Sequence, residues 1–146
     1  MHPKLVIGRV DKADFPEFGL EDISIKIDTG AYTSSIHCHH IKEIITNEGK
    51  KVIFQLLDPE HPDFNNKTFS SKHYKKKLIK SSNGNKEERF IIQSEIVLFK
   101  TAFPIELSLS ERGEMKYPVL IGRKLLNSNF IVDTSKKNIS FKQKNK

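Results

Sequence analysis

A chain of 146 residues with 36% hydrophobic and 29% charged residues has material for one ordinary core, and two domains are not expected. A surplus of 25 Lys and Arg over 18 Asp and Glu gives a net charge of +7, which favours polyanions or acidic peptides as partners without identifying either. No apolar run approaches the roughly 18 residues of a membrane-spanning helix. Residues 1–9 lack the features of a secretory signal, and the lone Cys38 cannot form an intramolecular disulfide, so a cytoplasmic location is expected.

Strand signals dominate in chain order. Leu5 to Val10 is the first expected strand, followed by a loop through Asp14, Pro16 and Gly19. Ile23 to Ile27 alternates apolar and polar residues with period two and ends directly at Asp28-Thr29-Gly30. Ser35 to Thr46 and Lys51 to Leu57 form a hairpin about Asn47-Glu48-Gly49, and residues 58–69, rich in Pro, Asn, Asp and His, read as an irregular excursion. Lys72 to Lys80 and Glu88 to Lys100 flank the turn signal Asn83-Gly84 and make a long hairpin. Phe103 to Leu109 alternates again, and Glu111 to Glu114 turns the chain. Pro118 to Ile121 is a short strand, Arg123 to Asn127 the one helical turn, and Phe130 to Asp133 and Asn138 to Phe141 closing strands. Residues 142–146 are expected to be a flexible tail of a single domain spanning 1–146.

Two motifs carry chemistry. Asp28-Thr29-Gly30-Ala31 follows an apolar strand, as the catalytic carboxylate of aspartic proteases does, although Asp and Gly also suit a plain turn at a strand end. Nearer the C-terminus, Tyr117-Pro118-Val119-Leu120-Ile121-Gly122-Arg123-Lys124 resembles the apolar-apolar-Gly-Arg segment and short helix of retroviral proteases. The bland alternative is a buried strand that ends at a glycine.

With these, the stretch Lys26 to His37, Ser81-Ser82-Asn83-Gly84, Phe103-Pro104-Ile105-Glu106-Leu107, Arg112, Met115 and Val132-Asp133 resemble a bacterial group of retropepsin-like proteins. That group carries the label ATP-dependent zinc protease, and some members occur beside ATP-grasp ligases that add glutamates to ribosomal protein tails. Neither half of the label follows from the residues, since no Gly-rich phosphate loop is present.

The resemblance implies an all-β fold, a closed acid-protease β-barrel with one short C-terminal helix. It implies an aspartic peptidase with no cofactor, acting on a peptide or protein substrate that is acidic or modified by such a ligase. Asp28, Thr29 and Gly30 would form the catalytic loop, and Ala31, His37, Asn83 and Gly84 would face substrate. Val119, Leu120, Gly122 and Arg123 would support the loop, with Val119 and Leu120 in the core and Gly122 permitting close backbone approach.

Peptide hydrolysis of this kind needs two carboxylates that share one proton, and the chain offers one Asp-Thr-Gly. A homodimer with Asp28 of each subunit on the two-fold axis supplies the second. One departure stands out. The retroviral pattern has acids directly after the Ala, whereas this chain has Tyr32-Thr33, so the partner of Arg123 would be an acid elsewhere.

Two other classes are weighed against this reading. His37-Cys38-His39-His40 contains zinc-ligand residue types, but alternation on a strand gives only two per face, so no metal site is expected; a zinc-dependent peptidase and a non-catalytic peptide-binding module stay as alternatives. The basic residues Lys72 to Lys77, Lys86 and Arg89 lack the aromatic interleaving of a nucleic-acid surface. On the hairpin over the cleft they would favour an acidic peptide.

Overall fold

The computed structural model describes residues 3–57, 59, 61–64, 66–80, 84, 86–111 and 116–146. In chain order its strands are β1 (Leu5–Ile7), β2 (Val10–Phe15), β3 (Leu20–Ile27), β4 (Ser34–Thr46), β5 (Gly49–Leu56), β6 (Thr68–Ser71), β7 (Tyr74–Lys80), β8 (Lys86–Leu98), β9 (Thr101–Ser110), β10 (Val119–Ile121) and β11 (Phe130–Val132). A 3-10 turn covers Pro16–Phe18, and the helices are α1 (Arg123–Asn129) and α2 (Ile139–Lys144). No helix among the described residues is long and apolar enough to cross a membrane.

The protein is mainly β because its strands alternate. Ile23, Ile25 and Ile27 of β3 and Ile105, Leu107 and Leu109 of β9 turn inward, where they meet Phe15, Phe54, Ile36 and Ile96 in one core. The strands run β10-β3-β2-β8-β9-β4-β5-β6, and β7 joins β8. β10 also pairs with β4, so the path β10-β3-β2-β8-β9-β4 returns to its first strand, with β2 and β8 joined through Asp14 and Val97. β1 and β11 form a separate parallel pair.

Three expectations change. Val10–Phe15, read as the end of a strand and a loop, is the full strand β2. Asn138 to Phe141, read as a strand, fall at the start of the second helix α2, so two short C-terminal helices stand among the described residues where one was expected. The excursion over 58–69 regains a strand at Thr68, which pairs with β5.

Asp11 explains the first two changes. Its carboxylate is buried and accepts the N–H groups of Lys12 (2.8 Å), Ser140 (2.9 Å) and Phe141 (3.0 Å), so it caps α2 from 129 residues away. The Ser140 hydroxyl in turn accepts the Phe99 N–H at 2.8 Å, and the Lys144 ammonium pairs with Asp14 (2.9 Å) and Asp22 (2.8 Å). Asp11→Ala orphans two amides of α2 and is expected to cost about 2–4 kcal/mol, read as a lower denaturant midpoint. Asp11→Asn, which keeps an acceptor, is expected to lose less.

Candidate active site

Period-two burial carries β3 to its end at Ile27, and the next residue, Asp28, opens a turn closed by the Ala31 N–H on the Asp28 carbonyl (3.2 Å). The Asp28 side chain is half-buried, and its Oδ1 accepts the Gly30 N–H at 3.1 Å. Thr29 and Gly30 are exposed and Ala31 is half-buried.

Beneath this loop runs β10, parallel to β3 and antiparallel to β4, with Val119 opposite Ile25 and Ile36. Val119 and Ile121 are buried, whereas Leu120, expected in the core, points to the other face of so short a strand and is half-buried.

Five hydrogen bonds lock the loop and the start of β4 to the end of β10 and the segment after it: Asp28 N–H to the Ile121 carbonyl (2.8 Å), Arg123 N–H to Ala31 (2.9 Å), Lys124 N–H to Tyr32 (2.9 Å), Gly122 N–H to the Ser34 hydroxyl (3.0 Å), and Arg123 Nη1 to the Thr29 carbonyl (2.8 Å). A Cβ on Gly122 would stand 2.5 Å from the Tyr32 carbonyl oxygen and 2.9 Å from the Thr33 carbonyl carbon. Its φ of −95° is open to any residue, so the demand for glycine here is one of space.

The expected acidic partner of Arg123 is not found among the described residues. The Thr29 carbonyl takes one N–H and the guanidinium sits 5.9 Å from the Tyr32 ring centre, so the tyrosine occupies the place where the retroviral pattern has an acid. Ser34 and Lys124 lie within the two motif stretches, but the sequence alone assigned neither a role. The polar Ser34 at the buried start of β4 was its one available signal.

His37 lies nine residues past Asp28 on β4 and is only 2% exposed, buried rather than open to a cleft in the protomer. Its backbone N–H reaches the Pro118 carbonyl (2.8 Å), and its Nε2 lies 3.2 Å from His39 Nε2, a hydrogen-bond distance whose donor is set by the tautomers of the two rings. Cys38 faces the core, where burial pushes the thiol far up and keeps it protonated, and His40 is exposed at a bulge. The segment therefore offers two nitrogens where a structural zinc takes four ligands, and no group of three ligand-type side chains gathers among the described residues.

The long hairpin forms as β7 and β8, in register from Tyr74 opposite Ile92 to Lys80 opposite Lys86. Gly84 is exposed at its turn with a φ of +88°, while Ser82 and Asn83 lie outside the described residues, as do Arg112 and Met115. Acids hold the base of the hairpin. Glu106 on β9 accepts from Lys75 (3.2 Å) and Lys124 (2.5 Å), which hold its carboxyl below the usual range. Glu43 on β4 binds Lys76 (2.6 Å) and the Tyr74 phenol, whose pKa that donation pushes up to about 12. A groove of about 440 Å³ beside α1, lined by Ser34, Glu106, Lys124 and Asn129 among others, leaves Asp28 outside it.

An Asp-Thr-Gly turn at the end of an apolar strand, braced from below by a second strand that runs into Gly-Arg, defines a retropepsin-like domain. The family model described as the retropepsin-like aspartic endopeptidase RimB matches residues 6–143, and the chain belongs to this RimB-like family. Relatives named as probable alpha-L-glutamate ligases are 36% identical over 136 residues in Shewanella pealeana, covering 90% of this chain and 29% of the relative, and 34% identical over 131 residues in Desulfotalea psychrophila, covering 89% and 28%. The chain thus spans less than a third of the length of these curated relatives. A crystal structure of a Legionella pneumophila protein of unknown function shares the fold, with a TM-score of 0.74, 23% identity, and coverage of 94% of this chain and 99% of that one.

Proposed function

We propose that the chain is one protomer of a cytoplasmic aspartic peptidase, its returning ring of six strands a closed barrel and its active centre formed by Asp28 of two copies about a two-fold axis. The observation that carries the reading is the clamped loop: a hydrogen bond from Asp28 to β10 and others from Arg123 and Lys124 to Thr29, Ala31 and Tyr32 fix the turn that presents Asp28, as preorganised catalysis requires. One ionised carboxylate takes a proton from water, the protonated partner polarises the scissile carbonyl, and the water oxygen adds to the carbonyl carbon. Proton return to the amide nitrogen then releases the amine. In this reading the Thr29 hydroxyls tie the two loops together, Ala31 keeps the cleft floor low, and the β7–β8 hairpin covers the peptide and excludes water.

A glutamate-bearing peptide is the substrate that fits best. The relatives are named as glutamate ligases and exceed this chain more than threefold in length, so a matching domain in them stands beside ligase machinery that the chain does not span. The same observation favours a second reading, a non-catalytic module that holds the ligase's peptide.

Incubation with a glutamate-extended peptide, followed by mass spectrometry, tests the first reading. Shortened product that persists in a chelator is expected. Activity that vanishes with the chelator and returns with zinc would replace the dyad by a zinc-dependent peptidase.

A further inference from the structure

The cations that the sequence places over the cleft are spent only in part, since Lys77 and Lys86 are exposed and in no ion pair among the described residues. Lys72, Lys75 and Lys76 pair with Glu48, Glu106 and Glu43, and Lys124 with Glu106. The cations around the Asp28 loop differ. Arg123 is exposed, and its contacts among the described residues are a carbonyl and an aromatic face, neither of which cancels its charge. Lys26, two residues before Asp28, is exposed and in no ion pair among the described residues, and neither is Arg9, whose carbonyl accepts the Ile27 N–H at 2.9 Å. Positive charge that an acidic ligand can use therefore lies not only on the hairpin but also beside the loop that carries the carboxylate proposed to react.

Tyr32 makes this possible. An acid at that position, within reach of the guanidinium, would neutralise it internally. The tyrosine instead offers a ring face that orients the guanidinium, and at 51% exposure it forms part of the open floor. A guanidinium with one N–H committed to Thr29 keeps others in a planar fork that matches a carboxylate.

We propose that Arg123, oriented by Tyr32, is a carboxylate subsite that binds an acidic side chain of a peptide lying across the Asp28 loop. The subsite deepens the peptidase reading and rests on it for the peptide's path. It also makes Tyr32 a specificity-determining position, because the residue there sets whether the charge on Arg123 is available.

The test uses binding, so that it does not depend on cleavage. Fluorescence anisotropy compares a glutamate-rich peptide with its glutamine counterpart on Asp28→Asn protein at low salt. The glutamate peptide is expected to bind about tenfold more tightly or better, with the advantage shrinking as salt rises. Adding Tyr32→Asp, which supplies Arg123 with an internal carboxylate and leaves the backbone clamps in place, is expected to bring the ratio close to one, while Tyr32→Phe keeps it. A melting temperature close to the parent's establishes that Tyr32→Asp is folded. Equal binding of the two peptides, or a ratio that Tyr32→Asp leaves unchanged, would overturn the subsite. Discrimination that Tyr32→Asp abolishes in a protein whose parent cleaves nothing would leave the subsite standing and remove the peptidase reading alone.

Discussion

Asp28→Asn is expected to slow cleavage of a glutamate-extended peptide by about 10³-fold or more while leaving the melting temperature close to the parent's. An asparagine keeps the shape of the side chain and an acceptor for the Gly30 N–H, so the turn survives. It cannot take a proton from water at neutral pH. A dyad in which both members are amides has neither base nor acid, and the loss falls on kcat rather than on KM. Cleavage at the parent's rate by the purified variant would show that the carboxylate is not the reacting group.

Gly122→Ala is expected to have the largest effect on the structure of the site. The added methyl would meet the Tyr32 carbonyl oxygen at 2.5 Å, its carbon at 2.7 Å and the Thr33 carbonyl carbon at 2.9 Å, all backbone atoms with no rotamer to change. Relief requires the Asp28 loop to lift away from β10, which breaks the hydrogen bonds that the Arg123 and Lys124 N–H groups donate to the Ala31 and Tyr32 carbonyls. Overpacking of this kind costs about 3 kcal/mol, a fall of about 10 °C in Tm for a domain of this size. Cleavage should fall further than stability alone explains, because the displaced loop carries Asp28. Hydrogen exchange at residues 28–34 separates a lifted loop from global unfolding.

The parts of this site that were legible in the sequence are those whose cause is local. β3 announces itself by alternation, and the loop and its brace by Asp-Thr-Gly and by a glycine beside an apolar triplet. What was hidden depends on partners far along the chain. β2 has an aspartate at an inward position, which breaks the apolar pattern until one sees that Asp11 caps a helix beginning at Ile139. That helix is short and its N-cap residue, Asn138, makes no side-chain capping hydrogen bond, so Asn138 to Phe141 read as a strand. The lysine-rich segment looked wholly free because Glu43, Glu48 and Glu106, which pair with Lys76, Lys72 and Lys75, come from β4, the β4–β5 turn and β9. Arg123 lost its expected acid for a subtler reason, since the replacement acts through a ring face rather than a charge.

The shared dyad is tested most directly by mixing the parent with an equal amount of Asp28→Asn protein, allowing subunits to exchange, and measuring cleavage relative to parent alone at the same total protein concentration. If each active centre needs Asp28 from both protomers, only parent–parent pairs work and about a quarter of the activity remains. Retention of about a half would mean that each protomer works alone, and would contradict the dyad.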